Sequence, residues 1–391
     1  MERLSQSPTD PGFVQNPYPF YARARAAGDI IWWDDYALPM ATSHAAVSAV
    51  LKDRRLGREP IDPAPIPDHL TPFYAVEAHS MLELEPPRHT RLRGLVLRAF
   101  TTRRIAALAP EIQALCHDLI DRFPTGDHDL LKTYAQPIPV IIIARLLGVP
   151  EAMPDQLLAW SNAMVGMYQA GRTRRMEDAA AKAATEFSDF LRGYVETRRK
   201  TPADDLITHL IAAEQDGAKL STDELITTCI LLLNAGHEAT VHTIGNGIKA
   251  LIETETPPST LTEAAIDQTV EEILRHDPPL HLFTRYVYED LTLFGHAFKR
   301  GDQIGALLAS ANRDAKLWSN PDHFDPARKI TTNASFGAGL HFCVGAPLAR
   351  LELRTALPIL FQRCPNLRLI EPPRYADVYH FHGLAALRAR P

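Results

Sequence analysis

The sequence is poor in cysteine and has no pair of the Cys-x-x-Cys type. Its four cysteines, Cys116, Cys229, Cys343 and Cys364, are scattered along the chain. Without such pairs, neither a disulfide framework nor a structural zinc site is expected. A single cysteine is most often a small buried apolar side chain. That interpretation suits Cys116 and Cys229, which stand in apolar helical stretches, whereas the surroundings of Cys343 are different.

The sequence also lacks a long apolar run and an excess of positive charge. Its most apolar stretch, from Ile138 to Val149, is interrupted by Arg145 and is shorter than the about 20 residues that a membrane-spanning helix needs. The net charge of −6 argues against a general nucleic-acid binder. The polar N-terminus, Met1 to Pro11, has no apolar segment of a secretory signal. We expect a soluble, cytoplasmic protein without nucleic-acid or membrane partners.

Repeats, low-complexity tracts and long linkers are absent as well, so we treat residues 1–391 as a single domain. Helical periodicity dominates the chain, and strand patterns are fewer. The predicted helices are 19–27, 43–52, 88–99, 104–122, 134–147, 156–168, 176–199, 203–215, 222–252 and 262–275. The predicted strands are 30–33, 37–41, 285–287, 291–294 and 303–309. The fold class expected from these patterns is mainly α with small β-sheets.

The segment around Cys343 is rich in glycine and precedes a helical pattern. From Phe336 to Gly345 it reads Phe-Gly-Ala-Gly-Leu-His-Phe-Cys-Val-Gly. Glycine permits positive φ and close approach of the backbone to a flat ligand. Pro347 suits the first turn of the following helix. Cys343 therefore stands just before a helix N-terminus, where the dipole and free N–H groups stabilise a thiolate, the form that binds haem iron.

The pattern Phe-Gly-x-Gly-x-His-x-Cys-x-Gly resembles the haem-binding signature of the cytochrome P450 family. The resemblance implies that Cys343 is the proximal ligand of the iron of haem b and that His341 is a partner of a haem propionate. Phe336 would pack near the sulfur, and Gly345 would let the helix approach the porphyrin. The implied fold is the family's triangular, mainly α domain, with a long central helix over the haem.

A second motif resembles the family's Glu-x-x-Arg element, which is a structural pair behind the haem. Glu272 and Arg275 are three residues apart and share a helix face. Taken alone, they would be a solvated ion pair worth at most about 1 kcal/mol. The segment Pro321-Asp322-His323-Phe324 takes the place of the one that completes this network in the family. His323 stands where an arginine is often found, so we expect a weaker or protonation-dependent network.

Partners for the two haem propionates are also expected, since these carboxylates need cations or hydrogen-bond donors. His89 and Arg93 are four residues apart and share a helix face. Together with Arg285, in a later strand pattern, they resemble the family's propionate-binding residues. Without the cysteine loop, each would be interpreted as an exposed basic residue.

The long helix predicted over 222–252 begins with a capping box formed by Ser221 and Glu224. Its segment from Ala235 to Thr240 reads Ala-Gly-His-Glu-Ala-Thr and resembles the family's Ala-Gly-x-(Asp/Glu)-Thr stretch on the oxygen side of the haem. The resemblance makes Glu238 the acid of a proton-delivery relay. It also makes Gly236 the residue that leaves room for dioxygen, although a packing glycine is the plainer interpretation.

Ala239 departs from the family pattern because a threonine is usual at its position. Thr240 follows one residue later, about 100° around the helix. An ordered water, a hydroxyl of the substrate, or a local distortion that brings Thr240 inward would each compensate for the missing hydroxyl. We favour water or substrate assistance, with Glu238, Ala239 and Thr240 as the catalytic segment.

The implied activity is monooxygenation, in which one atom of dioxygen is inserted into a small or medium hydrophobic substrate. By resemblance, substrate would contact residues of the long helix, of a later strand and of the C-terminal segment. These residues are Leu231, Asn234, Ala235, Leu282, Phe283 and Phe381. A peroxide-driven peroxygenase and a non-catalytic haem-binding protein remain as alternatives.

Electrons would have to come from other proteins. The sequence has no dinucleotide-binding GxGxxG motif and no cysteine set for an iron–sulfur cluster. We expect a ferredoxin and its reductase as partners. Arg103, Arg104 and Arg350 are the candidates for a cationic docking surface.

Overall fold

The structure, a computed structural model, describes residues 1–150, 153–169, 171–215, 220–377 and 381–391. Contacts divide the chain into two compact units. Unit 1 comprises Met1–Asp62, Ile112–Ala135 and Ala239–Pro391, and unit 2 comprises Pro63–Glu111 and Gln136–Glu238. The single domain expected from the sequence stays a prediction.

The helices make the chain mainly α, as the periodicity predicts. In chain order they are α1 (Pro11–Gln15), α2 (Tyr18–Ala27), α3 (His44–Lys52), α4 (Thr71–Glu77), α5 (Arg88–Ala99), α6 (Thr102–Ala107), α7 (Ala109–Asp121), α8 (Pro137–Leu147), α9 (Pro154–Val165), α10 (Arg174–Lys200), α11 (Leu206–Gln215), α12 (Thr222–Glu253), α13 (Ile266–His276), α14 (Leu308–Ala311) and α15 (Ala346–Arg363). Short 3₁₀ turns lie at Asp68–Leu70, Gly166–Tyr168, Pro258–Leu261 and Gly339–His341, and a π turn lies at Leu131–Ala135.

The helix predicted over 104–122 is not continuous in the structure. The span predicted as 104–122 is two helices, α6 and α7, which are separated at Leu108. Pro110 explains the break, because a proline inside a helix removes one backbone hydrogen bond and clashes with the preceding turn. The same residue is tolerated in the first turn of α7, where its missing N–H would have no partner.

The strands are short, and all of them lie in unit 1. They are β1 (Arg3–Leu4), β2 (Ile30–Trp33), β3 (Leu38–Ala41), β4 (Leu56–Gly57), β5 (His128–Asp129), β6 (Leu282–Val287), β7 (Leu291–Leu293), β8 (His296–Phe298), β9 (Gln303–Leu307), β10 (Arg368–Leu369) and β11 (Arg388–Arg390). The largest sheet has the order β1-β2-β3-β9-β6-β4, and two smaller sheets are β10-β11-β5 and β7-β8.

Both faces of the large sheet are covered by apolar side chains. In β9, Ile304 and Ala306 belong to one buried cluster, which includes Leu51 of α3. Leu307 belongs to a second cluster, which includes Trp33 of β2. Since successive side chains of a strand point to opposite faces, the two clusters bury the sheet from both sides. β6 is thereby fixed between β9 and β4, with Arg285 opposite Ile304.

α12 is a single continuous helix, as predicted. The Ser221 hydroxyl accepts a hydrogen bond from the Glu224 amide at 3.1 Å, and the Ser221 amide donates to the Glu224 carboxylate at 2.9 Å. This reciprocal pair is the predicted capping box. Two glycines let α12 pack closely, since a Cβ on Gly245 would lie 2.7 Å from Leu131, and one on Gly247 would lie 3.0 Å from Ile273. Among the described residues, none of the helices combines the length and apolarity needed to cross a membrane.

Candidate functional site

The cysteine loop is closed by backbone hydrogen bonds and leads directly into α15. The Cys343 amide donates to the Phe336 carbonyl at 3.0 Å, and the Gly337 amide donates to Ala334 at 2.8 Å. α15 begins at Ala346, with a proline in its first turn. Cys343 therefore lies just before the N-terminus of an 18-residue helix, where the helix dipole favours the thiolate form.

Two glycines of the loop are required by its geometry. Gly337 and Gly339 have φ values of 68° and 70°, in the left-handed region. A Cβ on Gly339 would lie 2.3 Å from the Leu51 carbonyl oxygen, so a side chain there would collide with the backbone of α3. The loop is thus held against α3 in a conformation that only glycine provides. Gly345, by contrast, has an ordinary φ of −81°.

Exposure separates Cys343 from the other cysteines. Cys116, Cys229 and Cys364 are buried, and Cys343 alone is partly exposed. Burial raises the pKa of Cys116 to about 11 and that of Cys229 to about 12, so both stay thiols. A Cβ on Gly345 would lie 3.7 Å from the Cys343 sulfur, so this glycine leaves space beside it. A partly exposed cysteine in a glycine-lined loop, before a helix N-terminus, fits a haem held by a thiolate.

Phe336 of the cysteine loop contacts Arg350 of α15, which in turn pairs with an acid of α13. The Arg350 guanidinium lies 4.6 Å from the centre of the Phe336 ring. The same guanidinium forms a bidentate pair with Glu271, with Nη2 3.2 Å from Oε2. Arg350 therefore stacks on the loop while it is neutralised by an acid of α13.

The Glu272–Arg275 pair is buried, not solvated. Both side chains are 1% exposed, and Arg275 binds Glu272 through two hydrogen bonds of 2.7 Å. Arg275 also donates to the carbonyls of Asn312 and Pro321, at 3.0 and 2.7 Å. Such a pair needs all its hydrogen bonds, because burial removes the stabilisation by water. It joins the end of α13 to the segments that follow α14.

The predicted role of His323 is wrong. His323 contributes its backbone carbonyl, which accepts from Arg275 at 3.1 Å and from Arg328 at 3.2 Å. The second cation of the network is Arg328, whose Nε lies 3.1 Å from Glu272 Oε2. Sequence reasoning missed Arg328, which follows Phe324 by four residues. A guanidinium is always charged, so the network does not depend on protonation of a histidine.

The predicted propionate partners lie on regular elements. Arg285 is buried in β6 and donates to the Thr284 carbonyl at 2.8 Å, and His341 ends the 3₁₀ turn of the cysteine loop. In unit 2, His89 and Arg93 share a face of α5. His89 is buried, so the alternative of an exposed basic residue does not hold for it. Their binding to propionates stays a prediction.

α12 carries one row of accessible positions along an otherwise buried stretch. From 224 to 248 only seven positions are not buried. They are Leu231, Asn234, Ala235, Gly236, Glu238, Ala239 and His242. They follow the three- and four-residue spacing of a single helix face. We call this row the accessible stripe.

Ala239 lies on the accessible stripe, whereas Thr240 is buried at 5% exposure. α12 is helical without interruption from Thr222 to Glu253. An uninterrupted helix gives no support to the account in which a local distortion brings Thr240 inward, and the way in which Ala239 is compensated stays a prediction. On the face that the sequence predicts to be the oxygen side, Ala239 presents a methyl group where the family usually presents a hydroxyl.

Glu238 is accompanied by the buried imidazole of His237. The Nδ1 atom of His237 lies 2.9 Å from the Leu233 carbonyl, which can only accept, so Nδ1 carries a proton. The other nitrogen, Nε2, lies 3.2 Å from Glu238 Oε2. The two atoms are within ion-pair distance, although Nε2 makes no hydrogen bond among the described residues.

Gly236 has a packing role. A Cβ on Gly236 would lie 3.3 Å from the Ile143 side chain of α8. The lack of a side chain therefore allows close contact between α12 and α8. The plainer interpretation, a packing glycine, is the one that this geometry supports.

The predicted substrate residues have different surroundings. Asn234 points its amide nitrogen at the Met164 sulfur, 3.8 Å away. Phe283 lies against the cysteine loop, since a Cβ on Gly337 would be 3.2 Å from its ring. Phe381 forms an antiparallel bridge with Leu280, a residue that sequence reasoning missed.

His242 was also missed by sequence reasoning. Its ring centre lies 5.8 Å from that of Phe381. It stands on the accessible stripe one turn after Glu238, and this helical spacing is the signal that could have identified it.

Comparison with known proteins gives one family throughout. The family model described as "Cytochrome P450" matches residues 163–263 and 264–369. Cytochrome P450 monooxygenase PikC of Streptomyces venezuelae is 35% identical over 97% of this chain and 91% of its own. Vitamin D(3) 25-hydroxylase of Pseudonocardia autotrophica is 38% identical over 91% of this chain and 88% of its own. The crystal structure of P450BioI, in complex with an acyl carrier protein ligated to hexadec-9Z-enoic acid, matches with a TM-score of 0.92 and 32% identity, over 97% of this chain and 99% of that one.

Proposed function

Because the chain belongs to the cytochrome P450 family, we propose that Cys343 supplies the thiolate that binds the haem iron. The chain is a haem-dependent monooxygenase, an oxidoreductase that inserts one atom of dioxygen into an organic substrate. The observation that carries the assignment is that Cys343 is partly exposed before α15, while the other three cysteines are buried. A peroxide-driven peroxygenase and a non-catalytic haem protein are not favoured, since these relatives are monooxygenases and hydroxylases.

The cofactor in this proposal is haem b. The sequence has no Cys-x-x-Cys-His motif for covalent attachment. By the family resemblance, Arg285, His341, His89 and Arg93 would each be a propionate partner, through charge-assisted hydrogen bonds. When bound, haem supplies the activation of dioxygen and the oxygen transfer. The protein contributes the thiolate, the orientation of substrate and the delivery of protons.

Glu238 is the proposed residue of proton delivery. Its carboxylate lies 3.2 Å from Nε2 of His237, and both residues lie at the middle of α12. Nδ1 of His237 donates to the Leu233 carbonyl, so Nε2 is the ring nitrogen that faces Glu238. Since Ala239 offers no hydroxyl, an ordered water or a hydroxyl of the substrate would carry the proton beyond Glu238.

The proposed substrate is a small or medium hydrophobic compound. By the family resemblance, substrate would contact Leu231, Asn234 and Ala235, and it would also contact Phe381, whose bridge partner is Leu280. Most of these side chains are apolar, and one amide is available for orientation, as is usual in small-molecule sites. One relative is named for vitamin D(3), and another is seen in complex with a carrier protein ligated to hexadec-9Z-enoic acid, so they support a hydrophobic class rather than one molecule.

Relatives of this family use redox partners, and we propose a ferredoxin with its reductase as the electron source. Of the predicted docking residues, Arg104 pairs with Asp204, and Arg350 pairs with Glu271. Arg103 is exposed on α6. Among the three, Arg103 is therefore the one best suited to meet an acidic partner.

Carbon monoxide difference spectroscopy tests the thiolate. We expect the reduced protein to show the long-wavelength Soret band of a thiolate-bound haem with carbon monoxide. Cys343→His should retain haem and lose this band, whereas Cys364→Ser should keep it. A Cys343→His protein with an unchanged band would refute the assignment.

A further inference from the structure

A buried polar network occupies the interior of unit 1 near the C-terminal segment. We call it the Asp277 network; its members are Tyr18, Tyr21, Asp277, His281, Tyr375 and His382. Tyr18 donates to Asp277 Oδ1 at 2.5 Å, and Tyr375 donates to Oδ2. Nε2 of His382 lies 3.4 Å from Asp277 Oδ1. Asp277 thus receives one donor from each of three separate segments of the chain.

The charges of this network favour an ionised Asp277. Burial alone would raise the pKa of Asp277, but the charge and hydrogen bond of His382, together with the two tyrosine hydroxyls, hold it well below its usual range. Burial lowers the pKa of His281 well below its usual range, so this ring is neutral, and its Nδ1 lies 3.0 Å from the Tyr21 hydroxyl. The Arg313 guanidinium covers the Tyr18 ring at 3.4 Å.

The network fixes the segment that begins at Phe381. The His382 amide donates to the Pro279 carbonyl at 2.7 Å. The His382 ring is stacked on Tyr375, with ring centres 3.8 Å apart. Asn246 of α12 donates to the His382 carbonyl at 3.0 Å and to that of Asp277 at 3.1 Å. Both the backbone and the side chain of His382 are thereby held.

The same segment shapes the space around His242. A Cβ on Gly383 would lie 1.9 Å from Nδ1 of His242, so the imidazole fits only because residue 383 is glycine. Phe381, which precedes His382 in the sequence, also lies beside His242, and the centres of the two rings are 5.8 Å apart. A shift of His382 would therefore move both residues that bracket His242.

We propose that the Asp277 network is a positioning device for the substrate side, which sets the orientation of Phe381 and His242 and so contributes to specificity. The inference rests on the proposed function, since Phe381 must contact substrate. Asp277, Tyr375 and His382 are positioning residues, because they act through Phe381 and His242 and not on substrate.

Azole binding to the haem-loaded protein tests the proposal through two probes. Imidazole is small and requires only access to the iron, whereas 4-phenylimidazole also fills the space beside it. Dissociation constants are read from the Soret shift, and their ratio reports the shape of the substrate side. Tyr375→Phe removes one hydroxyl and keeps the ring, and His382→Gln replaces the imidazole with an amide. We expect either variant to change the ratio by about fivefold or more, with imidazole affinity unchanged.

Two control variants separate positioning from general loss of stability. Asp205 is a buried carboxylate of unit 2 that pairs with Arg198 at 2.9 Å, so Asp205→Asn should lower the melting temperature without a change in the ratio. Phe381→Ala should change the ratio by itself. If Phe381→Ala does so and both network variants do not, the positioning inference fails alone. If Phe381→Ala leaves the ratio unchanged, the proposed substrate contact of Phe381 fails.

A metal ion is the competing explanation for this cluster. The ligand atoms of Asp277, His281 and His382 lie within 4.8 Å of one another. In our proposal the site is already neutralised by internal hydrogen bonds, and elemental analysis of the purified holoprotein should find no stoichiometric zinc. One equivalent of zinc per chain that is lost in His382→Gln would overturn the proposal.

Discussion

At the residue scale, Glu352 is a buried acid in α15, at 1% exposure. In the part of the chain that the structure describes, neither of its carboxylate oxygens has a hydrogen-bonding partner. Burial raises its pKa well above the usual value. The folded protein therefore keeps a proton on Glu352 over a range of pH in which the unfolded chain is already ionised.

This difference in protonation predicts a pH dependence of stability. A group with a raised folded pKa stabilises the fold below its unfolded pKa and loses that contribution as pH rises. Each pKa unit is worth about 1.4 kcal/mol. We expect the free energy of unfolding to fall less between pH 5 and pH 8 in Glu352→Gln than in the natural chain, as measured by urea titration. Glu263→Gln, at an exposed position, should keep the natural slope; equal slopes in both variants would contradict the prediction.

Ala239 gives a second testable prediction at the residue scale, which concerns catalysis. If water or a substrate hydroxyl serves in place of a threonine, a hydroxyl introduced at this position should alter the coupling of electron use to product. With a substrate that lacks a hydroxyl, we expect Ala239→Thr to change the product formed per NADPH by about twofold or more. Ala239→Val has the same shape without the hydroxyl and controls for volume. Unchanged coupling and product profile in Ala239→Thr would reject water or substrate assistance.

At the scale of elements, periodicity located the long helices because each buries one continuous face. α5 has the predicted bounds, and α12 differs by one residue at its end. The cysteine loop was recognisable because its positive φ values require glycine, which leaves a mark in the sequence. The break between α6 and α7 at Leu108 could not be recognised from the sequence in this way. Pro110 is compatible both with a break in one helix and with the first turn of a new one.

Contacts between distant segments were the part that the sequence could not specify. Glu272 and Arg275 are neighbours on one helix, so their pairing follows from spacing. Arg328 reaches Glu272 from another segment, and the pairing of Phe381 with Leu280 spans about a quarter of the chain. Such contacts depend on how the backbone turns between them, and a single sequence shows no period for that.

In the Glu272–Arg275 network, we expect the side chains of Arg328 and His323 to contribute unequally to stability. Arg328→Ala removes a hydrogen-bonded cation from a buried carboxylate and should reduce the free energy of unfolding by about 1–3 kcal/mol. His323 is exposed and acts through its carbonyl, so His323→Ala should change it by less than about 0.5 kcal/mol. Urea unfolding, followed by the Soret band and by circular dichroism, measures both. A larger effect of His323→Ala would restore the imidazole as the third member.

At the scale of the whole molecule, charge decides how an electron donor approaches. The chain has a net charge of −6, so an acidic ferredoxin is repelled overall and must be attracted by a local cation. Such local attraction acts on the association rate and is screened by salt within a Debye length of about 10 Å at 0.1 M. The neutralised side chains of Arg104 and Arg350 contribute less to this attraction than the exposed Arg103 does.

The prediction for the whole molecule is therefore a salt-dependent electron transfer centred on Arg103. With a plant-type ferredoxin and its reductase, we expect the second-order rate of haem reduction to fall as salt is raised, and to fall about three- to tenfold at low salt in Arg103→Glu. Arg175→Glu on α10, also at an exposed position, makes the same change in net charge and should have a smaller effect. Equal losses in the two variants would show that only the net charge matters. A rate that rises with salt in the natural chain would exclude an acidic partner at this residue.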